Sequence, residues 1–119
     1  MCFKSLMARK NPLTASPPVL VETALRELGG RLRAARLARN LTLDSVATKI
    51  GTGRRPVADA ETGKPGVSVA VYVALLWAYD LLGDLKLLAD PGRDVVAQAM
   101  LRNRERARPN QRGSLDNDF

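Results

Sequence analysis

The sequence predicts an all-α fold of five to six helices with disordered tails, and three observations predict it. Apolar residues recur at three- and four-residue steps from Leu25 onward, and segment ends carry helix caps and stops such as Thr42, Gly51, Gly63 and Ser68. An apolar content of 45% over 119 residues suits one core-forming domain.

The first 20 residues contain Pro12, Pro17 and Pro18 and show no helical period, which predicts a flexible arm. Either Met1 or Met7 can serve as its start. Helix one spans Glu22 to Arg39: Leu25, Leu28, Leu32 and Ala35 form a stripe, with Arg26, Arg33, Arg36 and Arg39 off or beside it. Gly29 and Gly30 lie inside it. Each costs roughly 1 kcal/mol relative to alanine, which predicts first turns that fray or a helix that begins only at Gly29.

Thr42 caps a short second helix carrying Asp44 and Ser45 in its first turn and Leu43, Val46, Ala47 and Ile50 as its stripe, ended by Gly51. Thr52 or Gly53 then caps a third segment containing Arg54, Arg55, Val57, Ala58, Asp59 and Ala60, with Gly63 as its stop. Pro56 is tolerable under a Gly53 cap. Under a Thr52 cap it removes the first helical hydrogen bond, and in either case it biases Arg55 away from helical angles.

Lys64, Pro65 and Gly66 form a loop, and Ser68 caps the next segment. Val67, Val69, Val71 and Val73 alternate as a strand would, yet Leu75, Leu76, Trp77 and Tyr79 continue the run, and its length of about 12 residues favours a helix. Gly83 marks a bend, Leu85, Leu87 and Leu88 make a helical turn closed by Asp90-Pro91-Gly92, and a last helix runs from about Arg93 to Arg106. The expected organisation is an arm over 1–20, a domain over 21–90, a C-terminal helix over 91–108 and a disordered tail over 109–119.

Composition excludes much chemistry. With no histidine, a histidine general base, a Ser-His-Asp triad and any His-containing zinc site are impossible, and the lone Cys2 can form neither an internal disulfide nor a thiolate cage. No carboxylate pair stands out as catalytic. Thr62-Gly63-Lys64-Pro65 lacks the upstream glycine of a phosphate-binding loop, and a proline follows its lysine. The chain therefore reads as a non-enzyme without metal or cofactor. The start MCFKSLMARKNP lacks a secretory apolar core, and the uncharged stretch from Val67 to Tyr79 is shorter than the roughly 20 residues that span a bilayer. A cytoplasmic protein with no membrane contact is expected.

The net charge is +7, from 19 basic and 12 acidic residues. Nine bases against Glu27, Asp44, Asp59 and Glu61 give +5 over residues 26–64, while Lys86 against Asp80, Asp84 and Asp90 gives −2 over residues 65–90. One face attracts anions and another contacts protein.

A helix, a short helix, a glycine-bearing turn, another short helix and an apolar helix follow the order of a helix-turn-helix DNA-binding domain, whose third segment enters the major groove. Helices this short need a shared core, expected from Leu32, Val46, Ile50, Val57, Ala60, Val73 and Leu76.

The run LGGRLRAARLARNLTLDSVATKIGTGRRPVADAETGKPGVS resembles the Cro/C1-type (XRE) helix-turn-helix family, with its R-x-x-R, L-T, glycine-ended helix, reading helix and E-x-G. The continuation VALLWAYDLLGDLKLLADPGRD is similar to HipB-like antitoxins. The resemblance implies a lambda-repressor-like fold and a repressor that binds double-stranded operator DNA as a homodimer. Its reading helices would lie about one DNA turn, roughly 34 Å, apart. A HipA-like kinase toxin is the implied protein partner.

The resemblance further implies that Arg36 pairs with Glu61. It places Thr52, Gly53, Arg54, Arg55, Ala58 and Asp59 at the DNA. Arg54 and Arg55 either read guanine by a bidentate fork or hold phosphates, and Asp59 either accepts from cytosine N4 or orients Arg55 four residues earlier. Phosphate anchoring falls to Thr42 and the amides beginning helix two, ringed by Arg33, Arg39, Lys49 and Lys64. Arg102, Arg104, Arg106 and Arg108 add nonspecific attraction to DNA or meet an acidic toxin surface.

Three departures bear on DNA reading: Leu43 replaces the family's glutamine and offers only apolar contact, Gly53 replaces a capping serine, and Pro56 enters the reading helix. Two further readings stay open, a solitary phage-type or metabolic repressor and a protein-interaction module that has lost DNA reading. The apolar excess places a dimer surface at Trp77, Tyr79, Leu82, Leu85 and Leu88 or on the last helix.

Overall fold

A computed structural model describes residues 11–107. By contacts the chain divides into two compact units between Leu82 and Gly83. The expected tail over 109–119, Arg108 and the first ten residues of the arm lie outside the described residues.

In the first unit, Asn11 accepts a hydrogen bond from the Leu13 amide and caps a single helical turn, α1 (Pro12–Ala15). Then come α2 (Val19–Ala38), α3 (Leu43–Ile50), α4 (Arg54–Glu61) and α5 (Val69–Ala78). Among the described residues there is no strand. Helical order begins earlier than the sequence period suggests, at Pro12 and again at Val19 rather than Glu22. The alternating valines belong to α5, which Ser68 opens by accepting from the Ala70 amide.

The expectation that α2 frays or starts at Gly29 is corrected, because the helix runs unbroken through both glycines. A methyl group at Gly29 would lie 2.5 Å from the carbonyl oxygen of Ala60 and 2.7 Å from that of Glu61. Glycine there lets α2 and α4 meet backbone to backbone. Gly63 makes a second such contact, with 2.6 Å between an added Cβ and the Leu25 carbonyl oxygen.

Four helices end alike. Asn40 (φ 55°), Gly51 (φ 85°), Gly63 (φ 77°) and Asp80 (φ 59°) adopt the left-handed conformation after α2, α3, α4 and α5. In each case the next amide reaches back five residues: Leu41 to Arg36, Thr52 to Ala47, Lys64 to Asp59 and Leu81 to Leu76. These bonds satisfy carbonyls that a helix end would otherwise leave open.

The core comprises Leu32, Val46, Ala47, Val57, Ala60, Tyr72, Leu75 and Tyr79. This corrects the expected core at α5, where Val73 and Leu76 are only half-buried, as is Ile50 of α3. The cause is that α5 is apolar on every side, so its own period does not choose the inward face. Packing of α5 against α3 and α4 makes the choice. Tyr79, also named above for a dimer surface, is 1% exposed and belongs to the core, whereas Trp77 is 53% exposed.

The Tyr79 hydroxyl is buried without a hydrogen-bond partner among the described residues. Burial, with the Glu61 charge nearby, raises its pKa against the opposing effect of Arg36 and Arg39. Tyr79→Phe removes an unsatisfied polar group and is expected to leave stability unchanged or raise it by about 1 kcal/mol. The raised phenol holds its proton more tightly folded than unfolded. The stability this confers is whole below about pH 10 and is lost as pH rises through the folded pKa. Urea unfolding at about pH 8 and about pH 11 should therefore show a shallower alkaline loss in Tyr79→Phe.

The 3-10 helix Leu82–Leu87 spans the division between the units and contains Gly83, which the sequence assigned to a bend. In the second unit, the Asp90 carboxylate accepts from the Gly92 amide, and Asp94 accepts from the amides of Val96 and Ala97 to open α6 (Val95–Ala107).

Candidate nucleic-acid interface

Helices α3 and α4 are joined by Gly51-Thr52-Gly53, a turn of the length and glycine content that helix-turn-helix pairs use. Helix α3 inherits its position from local chemistry. Thr42 and Ser45 form a reciprocal capping box, each hydroxyl accepting from the other's amide at 3.1 Å. Thr42 is exposed at that end, and Leu43 is half-buried and packs against the core. The half-buried Thr52 gives its amide to Ala47, closing α3.

Gly53 is the cap of α4, with extended dihedrals and no side-chain hydrogen bond. Arg54, Arg55 and Pro56 then fill the first three helical positions. The amides of that first turn have no intrahelical partner, so Pro56 costs α4 no hydrogen bond. Arg54 and Arg55 are exposed, and Ala58 and Asp59 are half-buried.

Asp59 draws two cations together. Its Oδ1 accepts from Arg55 Nε at 3.3 Å and lies 3.1 Å from Lys64 Nζ. The hydrogen bond from Lys64, aided by the charges of Lys64 and Arg55, holds the Asp59 carboxyl below its usual pKa. The Tyr72 hydroxyl donates to the Lys64 carbonyl at 3.1 Å, which ties the loop after α4 to α5. Sequence reasoning missed Tyr72; a phenol inside an apolar helix needs a partner for its hydroxyl, and that need was the available signal.

The pair beneath α4 is buried. Arg36 donates from Nε to Glu61 Oε2 at 2.7 Å and from Nη2 to Glu61 Oε1 at 3.1 Å. Its Nη1 donates to the Leu41 carbonyl at 2.9 Å. The Glu61 hydrogen bond raises the Arg36 pKa further, against a smaller lowering from burial. This fork fixes the C-terminal half of α2 to the end of α4.

The surrounding cations fall into two groups. Arg33 is exposed with no ion pair among the described residues. Arg39 and Lys49 instead turn toward the C-terminus of α5: Arg39 donates to the Tyr79 carbonyl at 2.8 Å, and Lys49 Nζ lies 3.4 Å from the Ala78 carbonyl. Arg39 also sits over the Tyr79 ring and Lys49 over the Trp77 ring. Both thus complement the electron-rich helix end.

Among the described residues no group of His, Cys, Asp and Glu could hold a metal ion, and no helix is long and apolar enough to cross a membrane. Residues 27–88 match a family model described as a helix-turn-helix domain. No curated protein and no solved structure matches the chain.

Proposed function

The chain belongs to the helix-turn-helix domain family, of the XRE/Cro-like type, and from that premise we propose that it is a sequence-specific transcriptional repressor binding operator DNA as a dimer. The family itself implies a DNA-binding regulator. The observation that carries the finer reading is the exposed pair Arg54 and Arg55 on the first turn of α4, directly after the Gly51-Thr52-Gly53 turn. A helix N-terminus in this motif contacts base edges, and arginine is the side chain best shaped for guanine. Thr42 and the opening of α3, together with Arg33 and Lys64, hold phosphates.

Titration with the DNA upstream of its own coding sequence, at two salt concentrations, tests this. The Arg54→Ala, Arg55→Ala double variant is expected to lose specific binding while keeping its fold by circular dichroism. Unchanged specificity would reject the base-reading assignment.

A HipA-like kinase toxin is the proposed protein partner, on the similarity of the segment from Val73 to Asp94 to HipB-like antitoxins. Exposed Trp77, the only tryptophan of the chain, supplies a fluorescent reporter for that contact. A kinase that co-purifies and shifts its emission supports an antitoxin. A chain that represses with no such partner is a solitary repressor.

A further inference from the structure

Arg54 and Arg55 are neighbours on α4 in different electrostatic settings. Arg55 is held through Nε by Asp59, and its side chain is 81% exposed. Neither of its Nη groups has a protein partner among the described residues. Those two groups form the end-on fork that matches guanine O6 and N7. Arg54 is exposed and makes no ion pair among the described residues.

Asp59 is itself anchored. Lys64 Nζ meets the same Oδ1 at 3.1 Å, and the Lys64 backbone is tied to Tyr72. The carboxyl is ionised at neutral pH as an aspartate ordinarily is, and Lys64 and Arg55 hold its pKa lower still. A fixed negative charge on this face has two consequences. It offsets part of the positive charge of Lys64 and Arg55, which weakens sequence-independent clamping, and it restrains the Arg55 side chain before DNA arrives, which reduces the entropy lost on binding.

We propose that the two arginines divide the work: Arg55, steered through Nε by Asp59, reads a guanine with its Nη pair, Arg54 holds a phosphate, and Asp59 is the positioning residue that sets sequence discrimination. The proposal rests on the DNA-binding reading above.

The test uses the full chain and duplexes that the wild-type protein enriches from a random-sequence pool. Each base pair of the enriched duplex is then changed singly, with a non-enriched duplex of equal length as reference. Arg55→Ala is expected to flatten the preference at one G·C pair by about 5- to 150-fold. Arg54→Ala should weaken all duplexes alike and reduce the log–log salt slope by about one. Asp59→Asn should flatten the same G·C pair as Arg55→Ala while binding the reference duplex as tightly as wild type or more so. Asp59→Glu, which keeps a carboxylate four residues on, should retain the preference.

A merely structural Asp59 would alter the melting temperature without selecting one base pair. If Asp59→Asn keeps the full preference, or if Arg54→Ala flattens a single position, the division of labour is overturned while the DNA-binding reading stands. If the wild-type protein enriches no duplex, both fall together.

Discussion

Glu61→Ala is expected to destabilise the fold by about 3–5 kcal/mol, because it strands a buried guanidinium. The side chains of Arg36 and Glu61 are only 10% and 6% exposed, and the two bonds between them are the bidentate kind that fixes geometry as well as charge. Without Glu61, Arg36 retains one hydrogen bond, to the Leu41 carbonyl. The expected loss is a large share of the roughly 5–15 kcal/mol that holds a domain folded. Replacing both partners, Arg36→Met with Glu61→Leu, should recover most of it, since apolar isosteres carry no desolvation cost. Urea unfolding of Glu61→Ala measures the loss, and that of Arg36→Met, Glu61→Leu and their double variant closes the cycle. A Glu61→Ala loss under about 1 kcal/mol would show that the pair is solvated and contributes little.

Local chemistry was legible and long-range register was not. Thr42, Gly51, Gly63 and Ser68 announce helix ends because a cap or a left-handed glycine acts within a few residues of itself. Asn40 and Asp80 end α2 and α5 in the same conformation, yet a search for glycine stops passes over them. The inward face of α5 was misread because an apolar residue occupies nearly every position there, and only its neighbours select Tyr72, Leu75 and Tyr79. Arg39 and Lys49 read as cations around the phosphate-anchoring helix end. Their attachment to the α5 carbonyls depends on a helix end 29 to 40 residues further on, which no spacing rule reaches. The pairing of Arg36 with Glu61, 25 residues apart, came from the family resemblance rather than from periodicity. Within α4 the exposed arginines and the i,i+4 contact of Arg55 with Asp59 are local features, so sequence alone could raise them as candidates.

Gly29 and Gly30 should respond to alanine with opposite signs, although they are adjacent in one helix and carry the same propensity penalty. At Gly30 an added methyl meets nothing within 4 Å, so Gly30→Ala should stabilise by about 0.5–1 kcal/mol through helix propensity alone. At Gly29 the same methyl would enter the space of the Ala60 and Glu61 carbonyls, at 2.5 and 2.7 Å. Those atoms are backbone at the end of α4 and cannot rotate aside, so α2 and α4 must separate. Overpacking of this kind costs about 1–3 kcal/mol, and Gly29→Ala is expected at the upper end. The separation also pulls Glu61 from Arg36 and tilts the helix carrying Arg54 and Arg55. Gly29→Ala should therefore weaken DNA binding beyond its effect on stability, whereas Gly30→Ala leaves affinity unchanged. Thermal unfolding and duplex titration of the two variants, side by side, measure both effects. Equal shifts for the pair would mean that α2 and α4 do not meet at this glycine.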